Sequence, residues 1–570
     1  MPSATPRPEN RRTPTRSNAP AAAGVASATP RRRRVRGLLL ATFFLGLGGL
    51  YGLVPPSPDQ FELTYVAWRL NAGAAPYAGV IDMNWPGAFW LHQAIAWLPQ
   101  GPVFPWRLLD FAIAAAAAAA TARWLKPALG PVAAAAVLLG YPLVYADPRL
   151  YWFSGQRDAV CFHLALLAAA WQVSSLRRPR ASADLGVGAL VAFAVLVKPL
   201  ALVAAPALLV HNLLHRGQPL GRGLRRAGWN VIGGSATLLI ALVLVRLQGA
   251  PWPGLVDAAF VYNLIAQGDN ALPAATLLAL LGRFAADVWA VFGTAALVGL
   301  GLLAARAGAA GPGADARRLV LVLLPAGLAV YLLQGKGFNY HLSWLHGTVM
   351  IVALATAGVA AGTAARGFAR GRLAVPRPVS VASLVLAAAV GVALAAKAAN
   401  QLKPAAAAAG FTPRAAYLAD FNAGVGTTFA EAEALAAALR AKVPPGVEPQ
   451  AVPAFVFADA TSINLLSGRP LPTAFYYPRV LIAVHGSPGS ADLARRWDER
   501  FARELAAADV DEAWLSADIL GIARSKNAPV AAVVDAWLAA GFEPHGRVGG
   551  LEHWVRRGPA ATGLNAPARP

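Results

Sequence analysis

The chain has 570 residues, of which 57% are hydrophobic and only 14% charged, and its mean hydropathy is +0.49. Soluble proteins carry about a quarter charged residues, so a water-soluble enzyme is excluded and a polytopic membrane protein is expected. The net charge of +22 lies within residues 1–400, in the leading segment and in short loops between apolar runs, where it marks topology rather than nucleic-acid binding.

Residues 1–36 are rich in Pro, Ala, Thr and Arg and are expected to be a disordered, basic cytoplasmic tail. The cluster Arg31–Arg36 stands directly before an apolar run and reads as the flank of an uncleaved membrane anchor. Spans are then expected near 37–54, 106–123, 128–146, 159–176, 183–198, 199–214, 228–247, 284–305, 319–334, 343–363 and 380–399, about 11 in all. Loop charge tests the parity. With the N-terminus in the cytoplasm, the inner loops carry Arg123 and Lys126, then Arg177, Arg178 and Arg180, then Arg216 to Arg226, then Arg306 to Arg318, then Arg366 to Arg377. The outer loops hold few cations, as the positive-inside rule requires, and residues beyond 400 fall outside.

Two segments need a decision. Trp85–Leu98 is apolar but too short for a hydrocarbon core of about 30 Å, and is read as a helix lying along the interface. The run 183–214 is split at Lys198-Pro199, because proline disfavours helix at the residue before it; a single kinked helix is the alternative. The first outer loop, 55–105, is long, and the loop 249–282 contains an amphipathic stretch, Val256–Gln267. In the region 401–570, Glu431–Lys442, Ala491–Ala507 and Ala531–Ala540 have helical periodicity. Ala454–Ala458, Val480–Val484, Arg547-Val548 and His553–Val555 read as strands, giving an extracytoplasmic α/β domain. The single cysteine, Cys161, allows no intramolecular disulfide.

The residues able to carry chemistry gather in the outer loops. Asp59 and Glu62 lie three apart at the start of a helical stretch, 60–71; they can activate a hydroxyl or hold a divalent cation, or serve as an N-cap and a solvated acid. The run Arg149–Asp158 sets Arg157 and Asp158 at the mouth of the span 159–176, where Asp158 is either a helix N-cap or part of a site. In Gln334-Gly335-Lys336-Gly337-Phe338-Asn339-Tyr340-His341, a lysine between glycines offers an anion nest, with Tyr340 and His341 as donors; snorkelling and an interfacial belt are the other readings. Lys198, inside an apolar run, either snorkels or faces a phosphate.

The run Asp59…Tyr65…Ala67-Trp68-Arg69-Leu70…Gly73…Pro76-Tyr77…Asp82…Pro86-Gly87 resembles the first outer loop of the GT-C glycosyltransferases. The likeness is to the branch of protein O-mannosyltransferases and lipid A aminoarabinose transferases, a glycosyltransferase family 39-like pattern. The resemblance implies a catalytic carboxylate at Asp59. Many members have Asp-Glu where this chain has Asp59-Gln60, so the paired acid is displaced to Glu62. Asp158 matches an acid that helps organise the family's active site, and the segment 334–341 resembles a late outer loop that contacts lipid-linked phosphate.

The implied reaction is inverting transfer of a sugar from a polyprenyl-phosphate donor to an acceptor hydroxyl on the extracytoplasmic side of the inner membrane. The acceptor would be an envelope glycan, a lipid or a protein. Asp59, Asp158 and Glu62 would be catalytic; Lys336, His341, Tyr340, Lys198 and Arg157 would bind the donor phosphate. The likeness fixes no cofactor, and a divalent metal ion on Asp59 and Asp158 is compatible with it. The rival reading is a lipid or polysaccharide transporter, for which internal repeats and charges in mid-span would speak.

Overall fold

The computed structural model describes residues 30–177, 180–213, 219–266, 271–305, 314–369, 378–486 and 488–557. Residues 1–29 of the expected tail lie outside these, as do Arg178, Arg216, Arg306, Arg370, Arg372 and Arg377 of the cation-rich loops. The chain falls into two compact units, Met1–Gly46 and Leu47–Pro570.

The helices of the membrane part are α1 (Pro30–Gly52), α2 (Pro58–Asn71), α3 (Pro86–Gln93), α4 (Pro105–Leu129), α5 (Pro131–Tyr145), α6 (Arg157–Arg177) and α7 (Ala181–Val197). They continue as α8 (Ala204–Leu213), α9 (Leu220–Leu247), α10 (Trp252–Val256), α11 (Ala274–Ala305), α12 (Ala314–Gln334), α13 (Ser343–Ala369) and α14 (Pro378–Asn400). Pro58, Pro86, Pro105 and Pro131 each open a helix, at a position where the missing N–H costs nothing and the fixed φ is already helical. Seven of the described helices are long and apolar enough to cross a membrane, and the chain is a multi-pass helical membrane protein. The expected spans 128–146, 183–198, 199–214 and 319–334 correspond to shorter apolar helices.

Two expectations change in this part. Residues 30–36 are not disordered: Pro30 to Arg36 form the first turns of α1, since arginine is a good helix former and the apolar run continues the helix. Asp59 is not the N-cap of α2; Ser57 takes that place, and Pro58 moves the start two residues upstream of 60. The amphipathic stretch 256–267 is mostly π-helical, over Asp257–Ala266. The break at Lys198-Pro199 is present, with Lys198 in extended backbone (φ −154°, ψ 121°) between α7 and a 3-10 turn, Pro199–Val203. The segment 85–98 contains only the eight-residue α3.

Beyond residue 400 come α15 (Leu402–Ala408), α16 (Arg414–Leu418), β1 (Asn422–Gly424), β2 (Thr427–Thr428), α17 (Phe429–Ala441), β3 (Phe455–Phe457), α18 (Ser462–Ser467), α19 (Pro478–Ala483) and α20 (Ala491–Ala506). The last elements are β4 (Glu512–Ser516), α21 (Ala517–Ser525), α22 (Val530–Gly541), β5 (Phe542–Val548) and β6 (Leu551–Arg556). A four-stranded sheet has the order β3-β4-β6-β5, with β3 and β4 parallel and the other pairs antiparallel. Val480–Val484 is not a strand: Pro478 starts α19, and a short buried apolar run satisfies either period. The strand β4 is buried along its whole length, so it lacks the alternation that would have revealed it.

This C-terminal region is sewn to the first outer loop. Tyr65 Oη accepts from the Leu471 N–H at 2.9 Å, the Ile81 N–H donates to the Ala474 carbonyl at 2.9 Å, and Tyr476 donates to Asp82. Phe61 of α2 stacks on Phe429 of α17 at 5.3 Å.

Within the bundle, α7 and α9 cross at glycines. A Cβ on Gly188 would lie 1.8 Å from the Asn230 carbonyl oxygen, and one on Gly233 2.2 Å from that of Leu185. Backbone meets backbone there, the small-residue contact that membrane helices use in place of a hydrophobic drive. Gly188→Val is expected to force the pair apart, at a cost of about 1–3 kcal/mol. A lowered thermal midpoint in detergent checks this; an unchanged midpoint contradicts the crossing.

Candidate active site

Four chain segments meet at one end of the bundle around a cavity of about 1820 Å³. Its wall includes Asp59 and Glu62 from α2, Arg157 from α6, Lys198 from the α7 break, and Lys336, Tyr340 and His341 from the α12–α13 connection. Of the residues to which the resemblance gives a catalytic or phosphate-binding role, Asp158 is not on the wall and the other seven are.

The acid end is built by capping. The Gln60 side chain accepts from the Ser57 N–H at 3.4 Å and donates to the Ser154 carbonyl at 2.8 Å, while Gln156 donates to Ser57 Oγ at 2.9 Å. These bonds fix the first turn of α2 against the Ser154–Arg157 segment, and Asp59, next to Pro58, turns partly open to the cavity. Loss of water pushes the Asp59 carboxyl above its usual range; Arg157, with hydrogen bonds from Gln156 and Tyr340, pulls it back. Glu62 is 6% exposed, and burial followed by repulsion from Asp59, Asp459 and Asp82 drives its carboxyl well above the ordinary range.

At the base end, Lys198 Nζ donates to Asp158 Oδ2 at 2.7 Å and also to Gln334 Oε1, and Gln334 Nε2 donates to Asp158 Oδ1 at 2.9 Å. Asp158 therefore holds Lys198 in place. Both its oxygens are engaged, so it is not free to share a metal with Asp59, and among the described residues no group of three metal-ligating side chains is found. Asp59 and Asp158 do not fit a joint metal site. Lys336 stands between Gly335 (φ 67°) and Gly337 (φ 68°), both left-handed. A Cβ on Gly337 would also meet Leu280 Cδ1 at 2.6 Å. Burial, then the charges of Lys198 and Arg157, lower the Lys336 ammonium to about 8. Tyr340 and His341 follow in a short 3-10 turn, with Phe338 stacked on Tyr340 at 5.5 Å.

Several wall residues had no local signal in the sequence. Asp459, Tyr477 and Arg479 reach the cavity from the C-terminal region, with Arg479 Nε donating to Asp459 Oδ2 at 2.5 Å. Beneath the wall lies Arg107, with no exposed surface. It donates to Pro55 O at 2.7 Å, Ser154 O at 2.7 Å, Tyr151 O at 3.1 Å and Tyr51 Oη at 2.8 Å. Neutralising Lys198 should strand Asp158 without its cation. Lys198→Met is expected to lose about 3 kcal/mol of stability, and adding Asp158→Asn to recover most of it, as read from thermal midpoints in detergent.

No family model and no curated protein matches the chain. Among solved structures it resembles ArnT from Cupriavidus metallidurans in the apo state, with TM-score 0.52 and 14% identity, covering 93% of this chain and 100% of that one. It also matches arabinosyltransferase EmbB from Mycobacterium smegmatis, with TM-score 0.39 and 16% identity, over 64% of this chain and 38% of that one. A third is the archaeal oligosaccharyltransferase AglB from Archaeoglobus fulgidus, with TM-score 0.45 and 11% identity, over 88% of this chain and 72% of that one. The likeness to ArnT shows a fold that the two chains share.

Proposed function

We propose, from the GT-C fold and the cavity it frames, that the protein transfers a sugar from a polyprenyl-phosphate donor to an acceptor hydroxyl on the extracytoplasmic side of the inner membrane. The observation that carries this reading is the opposition of Asp59 to Lys198, Lys336 and Arg157 around one cavity at the end of an apolar bundle. That arrangement suits a reaction in which a proton leaves one oxygen while negative charge collects on another.

Asp59 takes the proton of the acceptor hydroxyl as that oxygen attacks the anomeric carbon from the face opposite the phosphate. The anomeric C–O bond breaks, its electron pair leaves with the polyprenyl phosphate, and the configuration inverts. Arg157, Lys198 and Lys336 balance the phosphate charge, with Tyr340 and His341 beside them. Arg157 also keeps the Asp59 carboxylate ionised against the pull of burial. Asp158 positions Lys198. A transporter would carry its ionisable groups along a pathway, whereas these gather at one end of the bundle.

The test is transfer in proteoliposomes supplied with candidate polyprenyl-phosphate sugars. Asp59→Asn is expected to lose about 10²- to 10⁴-fold in kcat with unchanged expression and thermal midpoint. Equal activity in that variant removes Asp59 from the mechanism. The pH profile is a second check. Asp59 must be ionised, so kcat/KM falls as pH drops through its raised carboxyl pKa. Lys336 must be charged, so kcat/KM for the donor falls again as pH rises past about 8. Lys336→Arg is expected to move that alkaline limb upward, and an unmoved limb assigns it to another group.

A further inference from the structure

The cavity has a second wall that the phosphate chemistry leaves unused. Glu62 lies on it, 6% exposed, and among the described residues its carboxylate has no hydrogen-bond partner. Asp459, also 6% exposed, has one oxygen on Arg479 and the other, Oδ1, without a partner among the described residues. Arg479, which also lines the cavity, is held to Asp459 through Nε, and among the described residues its two terminal nitrogens make no hydrogen bond. Tyr477 stands among these groups, within electrostatic range of Glu62, Asp459 and Asp59. Lys198 and Lys336, by contrast, neighbour each other and Arg157. Asp59 and Arg157 therefore mark the boundary between a cationic half and a half rich in carboxyl groups.

Resting on the transferase reading, we propose that Glu62, Asp459, Tyr477 and Arg479 form the acceptor subsite, and that it takes a neutral saccharide presenting adjacent hydroxyls. Buried carboxyl oxygens without donors call for hydroxyl protons, and the Arg479 fork supplies donors to hydroxyl oxygens. A carboxyl group engages a hydroxyl in either protonation state, whereas Glu62 and Asp459, with Asp59 beside them, repel a phosphate when ionised. A hydroxyl held here sits beside Asp59, where its proton is to be taken. The acceptor thus meets the C-terminal region, and the lipid donor meets the α12–α13 connection.

The experiment uses the full-length protein in nanodiscs and reads binding without turnover. The probes are fluorescently labelled oligosaccharides of arabinose, galactose and mannose, the same label on a Ser/Thr peptide and on phosphatidylglycerol, and a labelled polyprenyl phosphate. At least one oligosaccharide is expected to bind. Arg479→Gln and Asp459→Asn are expected to raise its Kd at least tenfold while leaving the polyprenyl phosphate Kd unchanged, and Lys336→Gln to do the reverse. Thermal midpoints confirm that each variant is folded. The proposal is overturned if no oligosaccharide binds, if the peptide or the anionic lipid binds instead, or if the two C-terminal variants bind saccharide as the wild type does. Failure of the wild type to bind polyprenyl phosphate strikes at the transferase reading itself and is seen separately from the saccharide arm.

Discussion

A guanidinium shut away from water calls for acceptors, and the two terminal nitrogens of Arg107 find theirs on three different stretches of chain. It takes the carbonyls of Pro55, Tyr151 and Ser154 and the hydroxyl of Tyr51, so the end of α1, the entrance to α2 and the approach to α6 are tied to one side chain on α4. One turn further along α4, Asp110 accepts from Tyr51 at 2.7 Å and from Tyr145 at 2.8 Å, and Tyr145 in turn accepts from the Gly155 N–H at 2.7 Å. Because these bonds sit where water is scarce, loosening any one leaves a polar group unsatisfied. Asp59 and Arg157 face each other because the strands of chain before them are held by this network.

The charged residues around the cavity obey the same constraint. Lys198 is held by Asp158 and Gln334, two residues from different helices, and the extended backbone at Lys198 directs its side chain away from the helix axis. Gly87 of α3 lies so close to the end of α7 that a Cβ there would come within 2.7 Å of the Leu196 carbonyl carbon. The short helix α3 thus packs directly against the end of α7, beside the break. The π-helical stretch Asp257–Ala266 closes another side. Trp85 Nε1 bonds the Ala259 carbonyl at 3.1 Å, Asp257 pairs with Arg496 at 2.8 Å, and Tyr262 stacks on Trp497 at 5.7 Å.

Much of this was legible in the sequence, for physical reasons. Long apolar runs and Arg-rich loops give the bundle, since hydrocarbon thickness and charge bias leave few alternatives. The run 334–341 stood out because glycine around lysine in an apolar chain has few structural uses, and the break at Lys198-Pro199 followed from proline sterics. What stayed hidden depends on partners distant in the chain. Arg107 carries no local signal, because its acceptors come from other segments. Asp459 and Arg479 sit 20 residues apart in a region with no motif, and only the packing of that region on α2 brings them to the cavity. Ser57 displaced Asp59 as the cap because Gln60 could reach back to it, a choice between neighbouring candidates that composition does not decide.

The seam between the first outer loop and the C-terminal region bears on biogenesis. The bond between Tyr65 and Leu471 joins positions 406 residues apart, and that between Asp82 and Tyr476 joins positions 394 apart. The helix that presents Asp59 is therefore synthesised long before the groups that pack against it exist. While the ribosome makes the intervening helices, that early loop waits with aromatic and acidic side chains uncovered. A chain stopped short of residue 471 would lack both of these partners of the first outer loop.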